Sequence, residues 1–387
     1  MEYTEELLSE LVTTSASESE SLEFKQELPR TKTPDDKAEF VKDVVGMANA
    51  SGGTILYGIA EVKNSASRII SITTEPFDHA VRRLQETLIS NVEPKELGVR
   101  FREIKVGCGY VLELTIPRSF AGPHRVLMQG QARSLFHVRS NTQVREFTHR
   151  ELRDAFLGRE HATVGFRNWR RERVSTILSG RGSRPLHADC PLAVLHAAPL
   201  EVFERSVSLD PRAFYQEYEK VLPRPAGSMS SNFNLDGVVT FSVGLTTERT
   251  GEYAQVFRTG QVELVFKGGY EGSRGDSISA PYIAQNLRKA LEKYAALFRN
   301  HGFSGPIVFA FSLLRVSGFA LIRSSYGDKQ ADRPELLLPE VLVSNADDVL
   351  NDVDATARPI LDMLWQCFDI EKCSYFEPGS GRFVPPT

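Results

Sequence analysis

Glu18-Ser19-Glu20-Ser21-Leu22-Glu23-Phe24-Lys25, followed one helix later by Ala48-Asn49-Ala50-Ser51-Gly52-Gly53-Thr54-Ile55-Leu56-Tyr57-Gly58-Ile59, is the stretch on which the reading of this chain turns. Leu22 to Lys25 alternates apolar and charged residues as a strand does. Pro34 and Asp35 then open a helix, whose apolar positions Phe40, Val41, Val44, Val45 and Met47 recur at helical spacing. Asn49 to Gly53 reads as a turn, since two glycines allow positive φ and close backbone approach. Thr54 to Ile59 is rich in β-formers and is predicted as a central strand.

Working outward, residues 1–14 are predicted as a short amphipathic helix carrying Leu7, Leu8, Leu11 and Val12 on one side. A helix is expected over 77–90, strands over 97–105, 109–116 and 133–139, and a closing helix from about Thr148. The class is α/β (α+β) with a mixed sheet, in a domain spanning 15–157. Residues 158–184 form an arginine-rich helix and a linker, Gly180 to Pro185. Residues 185–387 read as a second α+β domain. Its expected strands are Leu192–Ala197, 237–245, 253–266, Ile307–Leu314 and Gly318–Ile322, with a loop at Pro223–Ser231. Its expected helices are Ile283–Arg299 and 346–368, the first presenting Ile283, Leu287, Leu291, Tyr294 and Phe298 on one face.

Composition narrows the class of function. The 387 residues are 41% hydrophobic and 25% charged, as expected of two globular domains. No apolar run is long enough to span a bilayer, and the glutamate-rich start lacks the basic region of a secretory signal, so a cytoplasmic protein is expected. The four cysteines, Cys108, Cys190, Cys367 and Cys373, form no CxxC pair, which argues against a zinc ribbon or a disulfide framework. No P-loop, nucleophile elbow or histidine pair at zinc-binding spacing occurs. Net charge is -4, but Arg118 to Arg184 holds fourteen arginines, no lysine and five acids. That segment is net +9 and the remainder net -13. Such asymmetry suits either a face for a polyanion or a solvated helix surface paired with the acidic remainder.

The combination of E-x4-E-F-K and A-N-x-x-G-G-x-x-x-x-G resembles the Schlafen (divergent Alba) domain. Val111 to Pro117 is similar to that family's hydrophobic strand ending in proline, Arg139-Ser140-Asn141-Thr142 to its arginine-bearing turn, and Glu151-Leu152 to the start of its closing helix. The resemblance covers about 15–157, and the arrangement resembles bacterial stand-alone members with a variable C-terminal module, some of which act in phage defence. It implies one of two branches: a metal-dependent endoribonuclease cutting tRNA or rRNA with three carboxylates, or a non-catalytic regulator that binds DNA or RNA. On the nuclease branch, Glu18, Glu23 and Glu61 match the carboxylates that hold the metal and catalyse. Glu61 departs from the aspartate often found there.

The chemistry of these residue types agrees with the first branch. Mg²⁺ and Mn²⁺ take carboxylate and water oxygens. Lys25 shares a strand face with Glu23, where an ammonium neutralises charge on a scissile phosphate. Its alternative role is an ion pair with a neighbouring glutamate; Glu20 and Glu27 are spare acids nearby. For Asn49, Gly52 and Gly53 a purely structural turn is favoured over a phosphate cradle. Arg133, Arg139 and Arg145 are candidate RNA contacts. His137 lies beside them, with a partly buried structural role favoured. Arg167, Arg170 and Arg171 surround Trp169, and there base stacking competes with packing, the favoured role. The expectation is thus an RNA-cleaving enzyme with tRNA as the favoured substrate, acting as a homodimer. A nucleic-acid-binding regulator is the alternative, and a nucleotide-binding protein a third.

Overall fold

The computed structural model describes residues 3–127, 135–186, 190–204, 207–217, 221–222, 228–243, 250–270, 277–322 and 329–384. The chain divides into two compact α+β units, Met1–Gly158 and Arg159–Thr387.

The first unit begins with α1 (Glu5–Thr13), β1 (Leu22–Lys25), α2 (Pro34–Ala48), β2 (Gly53–Tyr57) and the hairpin β3 (Ile59–Val62) and β4 (Ser65–Ile69). It continues with α3 (Phe77–Asn91), β5 (Val92–Glu93), β6 (Arg100–Val106), β7 (Gly109–Ile116), β8 (Arg125–Val126), β9 (Leu135–Ser140) and β10 (Gln143–Glu146). Helix α4 (His149–Leu178) runs on across the boundary. One sheet has the order β1-β2-β7-β6, parallel between β1 and β2 and antiparallel elsewhere; a second has the order β10-β9-β8-β5. The predicted strand over Thr54–Ile59 is central, but it ends at Gly58, whose φ of +102° turns the chain into β3.

Alternation along β2 builds two layers. Ile55 and Tyr57 join a core with Phe40, Val44 and Met47 of α2 and Leu84 of α3. Leu56 points the other way, to Leu8 of α1, Phe24, Ile104 and Val111. A capping box starts α2, in which Thr33 and Asp36 satisfy one another's backbone amides and Pro34 fills the first turn. Asn49 at its C-terminal end staples three segments. Its Nδ2 donates to the carbonyls of His124 and His137, both at 2.8 Å, and its Oδ1 accepts from the His124 amide at 2.7 Å. Gly52 has φ +74°, and a Cβ there would meet the Arg118 nitrogen at 2.6 Å. A Cβ on Gly53 would meet the Ser21 carbonyl oxygen at 2.7 Å. The chain's own backbone fills the space above both glycines, so the turn is structural.

The second unit adds β11 (Leu192–Pro199), α5 (Pro211–Gln216), β12 (Met229–Phe233), β13 (Gly237–Ser242), β14 (Glu252–Phe257), β15 (Val262–Lys267), β16 (Gly269–Tyr270), β17 (Ser277–Ser279) and α6 (Ala280–Asn300). It closes with β18 (Ile307–Leu314), β19 (Ala320–Ile322), β20 (Glu335–Leu337), β21 (Val341–Val343), α7 (Ala346–Asn351) and α8 (Val353–Gln366). Its main sheet follows β12-β13-β14-β15-β11-β18-β20, with β21 also paired to β18. Leu287 and Leu291 of α6 and Leu364 of α8 share a core with Leu195, Leu264 and Phe309. Val174 and Ile177 of α4 pack with Val194, Tyr253 and Val265. The strand expected over 253–266 is in fact two, because Gly260, at φ +94°, turns the chain between β14 and β15. The helix expected over 346–368 is divided at Asp352, which caps α8 through the Ala355 amide. Of the loop expected at Pro223–Ser231, residues 223–227 lie outside the described residues and Met229 begins β12.

A buried ionic group ties α4 to this sheet. Arg173 donates to both oxygens of Glu263 at 2.8 Å, Tyr253 donates to Oε1 at 2.8 Å, and His196 Nε2 lies 3.2 Å from Oε2. Burial pushes the Glu263 carboxyl up, but Arg173 and His196 outweigh it and bring its pKa down to about 2. Burial lowers the pKa of the His196 ring, with Glu263 opposing. Among the described residues, no helix is long and apolar enough to cross a membrane.

Candidate functional site

Strand β1 sets the site. Phe24 is fully committed to the apolar layer under α1, so Glu23 and Lys25 project to the opposite side, towards α2. The predicted shared face is observed: Lys25 Nζ lies 2.7 Å from Glu23 Oε1. It also lies 3.6 Å from Asp43 of α2. The second oxygen of Glu23 is bound by Arg139 of β9, whose other nitrogen donates to the Ser19 carbonyl at 3.1 Å. Glu23 and Arg139 are both buried. Burial pulls the Lys25 ammonium down, but Asp43 and Glu23 outweigh it and hold it above the ordinary lysine range.

Asp43 was not anticipated from the sequence. It interrupts the apolar run of α2 and is mostly buried; burial and then Glu23 push its pKa up to about 6, against an ordinary 3.8, with Lys25 and Lys42 opposing. A carboxyl with a raised folded pKa leaves stability fully present below the unfolded value and lost as pH rises through the folded one. The gap corresponds to about 3 kcal/mol. Asp43→Asn is therefore expected to match the wild type near pH 3 and to exceed it in unfolding free energy by about that amount above pH 7. Urea titrations at several pH values read this out, and a constant difference across pH would refute it.

Glu18 and Glu61 form a second group. Glu18 accepts the Phe24 amide at 2.9 Å along the free edge of β1. Its carboxyl is pushed up first by burial, with the Phe24 amide opposing and the adjacent Glu61 and then Glu23 adding to the rise. Two carboxylates from distant segments thus lie side by side, in a partly exposed position. The expected three do not form one group in this structure: the oxygens of Glu23 are bound by Lys25 and Arg139. Among the described residues no three His, Cys, Asp or Glu side chains are placed to hold one ion. As a donor set, Glu18 and Glu61 suit Mg²⁺ or Mn²⁺, which commonly use one or two carboxylates and complete the shell with water and substrate phosphate. Glu23 is paired elsewhere, with Lys25 and Arg139.

The arginines divide. Arg139 is a buried partner of Glu23, and Arg170 is buried in the second unit, donating to the carbonyls of Leu338 and Phe311 and to Ser312, each at 2.8 Å. Burial lowers its pKa to about 10. Neither is a surface contact for RNA, contrary to expectation. Arg145 is exposed and held by Glu151 at 2.8 and 2.9 Å; Arg167 is exposed and paired with Glu340. Arg171 is exposed. Arg133 lies outside the described residues. His137 is buried, and burial lowers its pKa. Trp169 packs edge-on against His196 and Phe257, with ring centroids 5.0 and 5.6 Å away.

Comparison with known proteins bears on the first unit. The family model for Schlafen, AlbA_2 matches residues 18–148. The N-terminal domain of a putative ATP-dependent DNA helicase RecG-related protein from Nitrosomonas europaea aligns at 16% identity over 38% of this chain and 96% of its own, with a TM-score of 0.27. The DIP2311 protein from Corynebacterium diphtheriae aligns at 18% identity over 36% of this chain and 29% of its own, with a TM-score of 0.26. No curated protein matches the chain. With β1, the glycine turn and β9 all inside the matched segment, the chain carries a Schlafen AlbA_2 domain at residues 18–148, joined to a C-terminal α+β unit.

Proposed function

We propose that the Schlafen AlbA_2 domain is the catalytic module of a divalent-metal-dependent endoribonuclease acting on structured RNA, with tRNA as the favoured substrate. The observation that carries this reading is the pairing of Glu18 with Glu61 at a partly exposed strand edge, where burial, and after it the neighbouring Glu61, push the Glu18 carboxyl up. Glu18 and Glu61 would hold Mg²⁺ or Mn²⁺, which when bound polarises a phosphate and lowers the pKa of a bound water. Lys25 is paired with Glu23 and Asp43, the alternative role open to it, and acts with Glu23 as a positioning residue. Arg139 acts through Glu23 as a positioning residue. A folded tRNA spans more surface than one small domain offers, and we expect a homodimer, which light scattering on the eluted protein checks.

The test is cleavage of a labelled total tRNA pool with Mn²⁺ or Mg²⁺. Cuts are expected to disappear with EDTA and to fall about 100-fold or more in Glu18→Gln and Glu61→Gln, the scale of a positioned acid–base or ligand group. A second reading has its own support: Glu23 is held by Lys25 and Arg139, which leaves two carboxylates without an ion pair among the described residues instead of three. A non-catalytic RNA or DNA binder would leave tRNA intact in all variants while binding it in a steeply salt-dependent way.

A further inference from the structure

A cleft of about 560 Å³ opens between β1 and α2, the size of a site for one nucleoside. It is lined by Lys25, Arg30, Glu39, Phe40, Asp43 and Tyr57, among others. Tyr57 forms part of the lining: it is 3% exposed and its ring belongs to the apolar core, which leaves its hydroxyl as the polar group it can offer to the cleft.

The charges in the cleft decide what enters. Lys25 is held by Glu23 and Asp43, Arg30 pairs with Glu27 at 3.2 Å, and Asp36 is engaged in the cap of α2. Glu39 has no ion pair among the described residues, so the opening carries unneutralised negative charge. A phosphate is repelled there. A flat group with N–H donors is welcome: its donors meet the carboxylate and an acceptor on it meets the Tyr57 hydroxyl. Guanine is the base with two adjacent donors, N1–H and N2–H, which match the two oxygens of one carboxylate and leave O6 for a donor.

We propose that this cleft is a base-specificity pocket for an unpaired guanine, with Glu39 accepting from N1–H and N2–H and Tyr57 donating to O6. Reading an extruded base through its edge is how proteins commonly select single-stranded positions in RNA. The proposal rests on the ribonuclease reading only for the source of the guanine, as part of the substrate RNA.

Equilibrium dialysis of the full-length protein against radiolabelled guanosine, inosine, adenosine and cytidine tests it. Saturable guanosine binding is expected, weakened about tenfold or more for inosine, which lacks the exocyclic amine. Glu39→Gln, a change at an exposed position, is expected to weaken guanosine about tenfold and to remove the distinction from adenosine. Tyr57→Phe is expected to weaken guanosine with the fold intact by circular dichroism. Guanosine triphosphate is expected to bind more weakly than guanosine. Absent saturation up to the solubility limit, equal binding of all four nucleosides, unchanged binding by Glu39→Gln, or tighter binding of the triphosphate overturns the proposal. Nucleoside binding without tRNA cleavage would remove the ribonuclease reading and keep the pocket. Cleavage without nucleoside binding would do the reverse.

Discussion

Arg139→Ala is expected to destabilise the N-terminal domain by about 3 kcal/mol, the lower end of the cost of breaking a buried ion pair. Arg139 and Glu23 are both buried, and the substitution leaves a carboxylate without its main counter-charge. The lower end applies because Lys25 still holds the other oxygen of Glu23. Glu23→Leu combined with Arg139→Leu is expected to recover much of the loss, since no unpaired charge then remains in the interior. Urea unfolding of the three proteins measures both effects. A cost for Arg139→Ala below about 1 kcal/mol, typical of an exposed pair, would show that the pair is solvated in solution.

Glu263→Ala is expected to cost the second unit about 3–5 kcal/mol. The substitution strands Arg173 near the already desolvated Arg170, without its carboxylate partner. The same carboxyl makes the unit acid-sensitive. Its folded pKa, about 2, lies below the ordinary 4.5, so its contribution is present above the unfolded value and lost as pH falls from about 4 towards 2. That loss amounts to about 3 kcal/mol. Tryptophan fluorescence suits the measurement, because Trp169 sits on His196 and Trp365 is fully buried in the same unit. A wild-type unfolding free energy that stays flat from pH 5 to pH 2.5 would contradict the assignment.

These two ion pairs mark the limit of what the sequence discloses. Helix α2, the glycine turn and the central strand were legible because each is local: a capping residue with a proline, an apolar repeat, two glycines where no Cβ fits. The common face of Glu23 and Lys25 was legible for the same reason, as strand alternation fixes it. The fates of Arg139 and Arg170 were not. Counting arginines treats each as exposed, whereas burial depends on partners that arrive from far along the chain; Glu23 and Arg139 are 116 positions apart. The candidate site divides in the same way. Glu18 and Glu61 were chosen by resemblance and do lie together, while the loss of Glu23 from their group follows from an arginine on a different sheet. Asp43 was hidden inside an apolar run that reads as core, and only the packing of α2 over β1 gives it a role. In the second unit, the division of 253–266 into β14 and β15 rests on one glycine in an otherwise continuous β-rich run.

The bond from the Phe24 amide to Glu18 has a consequence for the life of the protein in a crowded solution. Strand β1 ends its sheet, and the outward amide of such a strand invites a foreign strand to add. Here a charged carboxylate occupies that amide, so an incoming chain must displace it and bury its charge. Glu18 thus guards the sheet against self-association, and variants that neutralise it are expected to aggregate more readily on concentration even where their fold is unchanged.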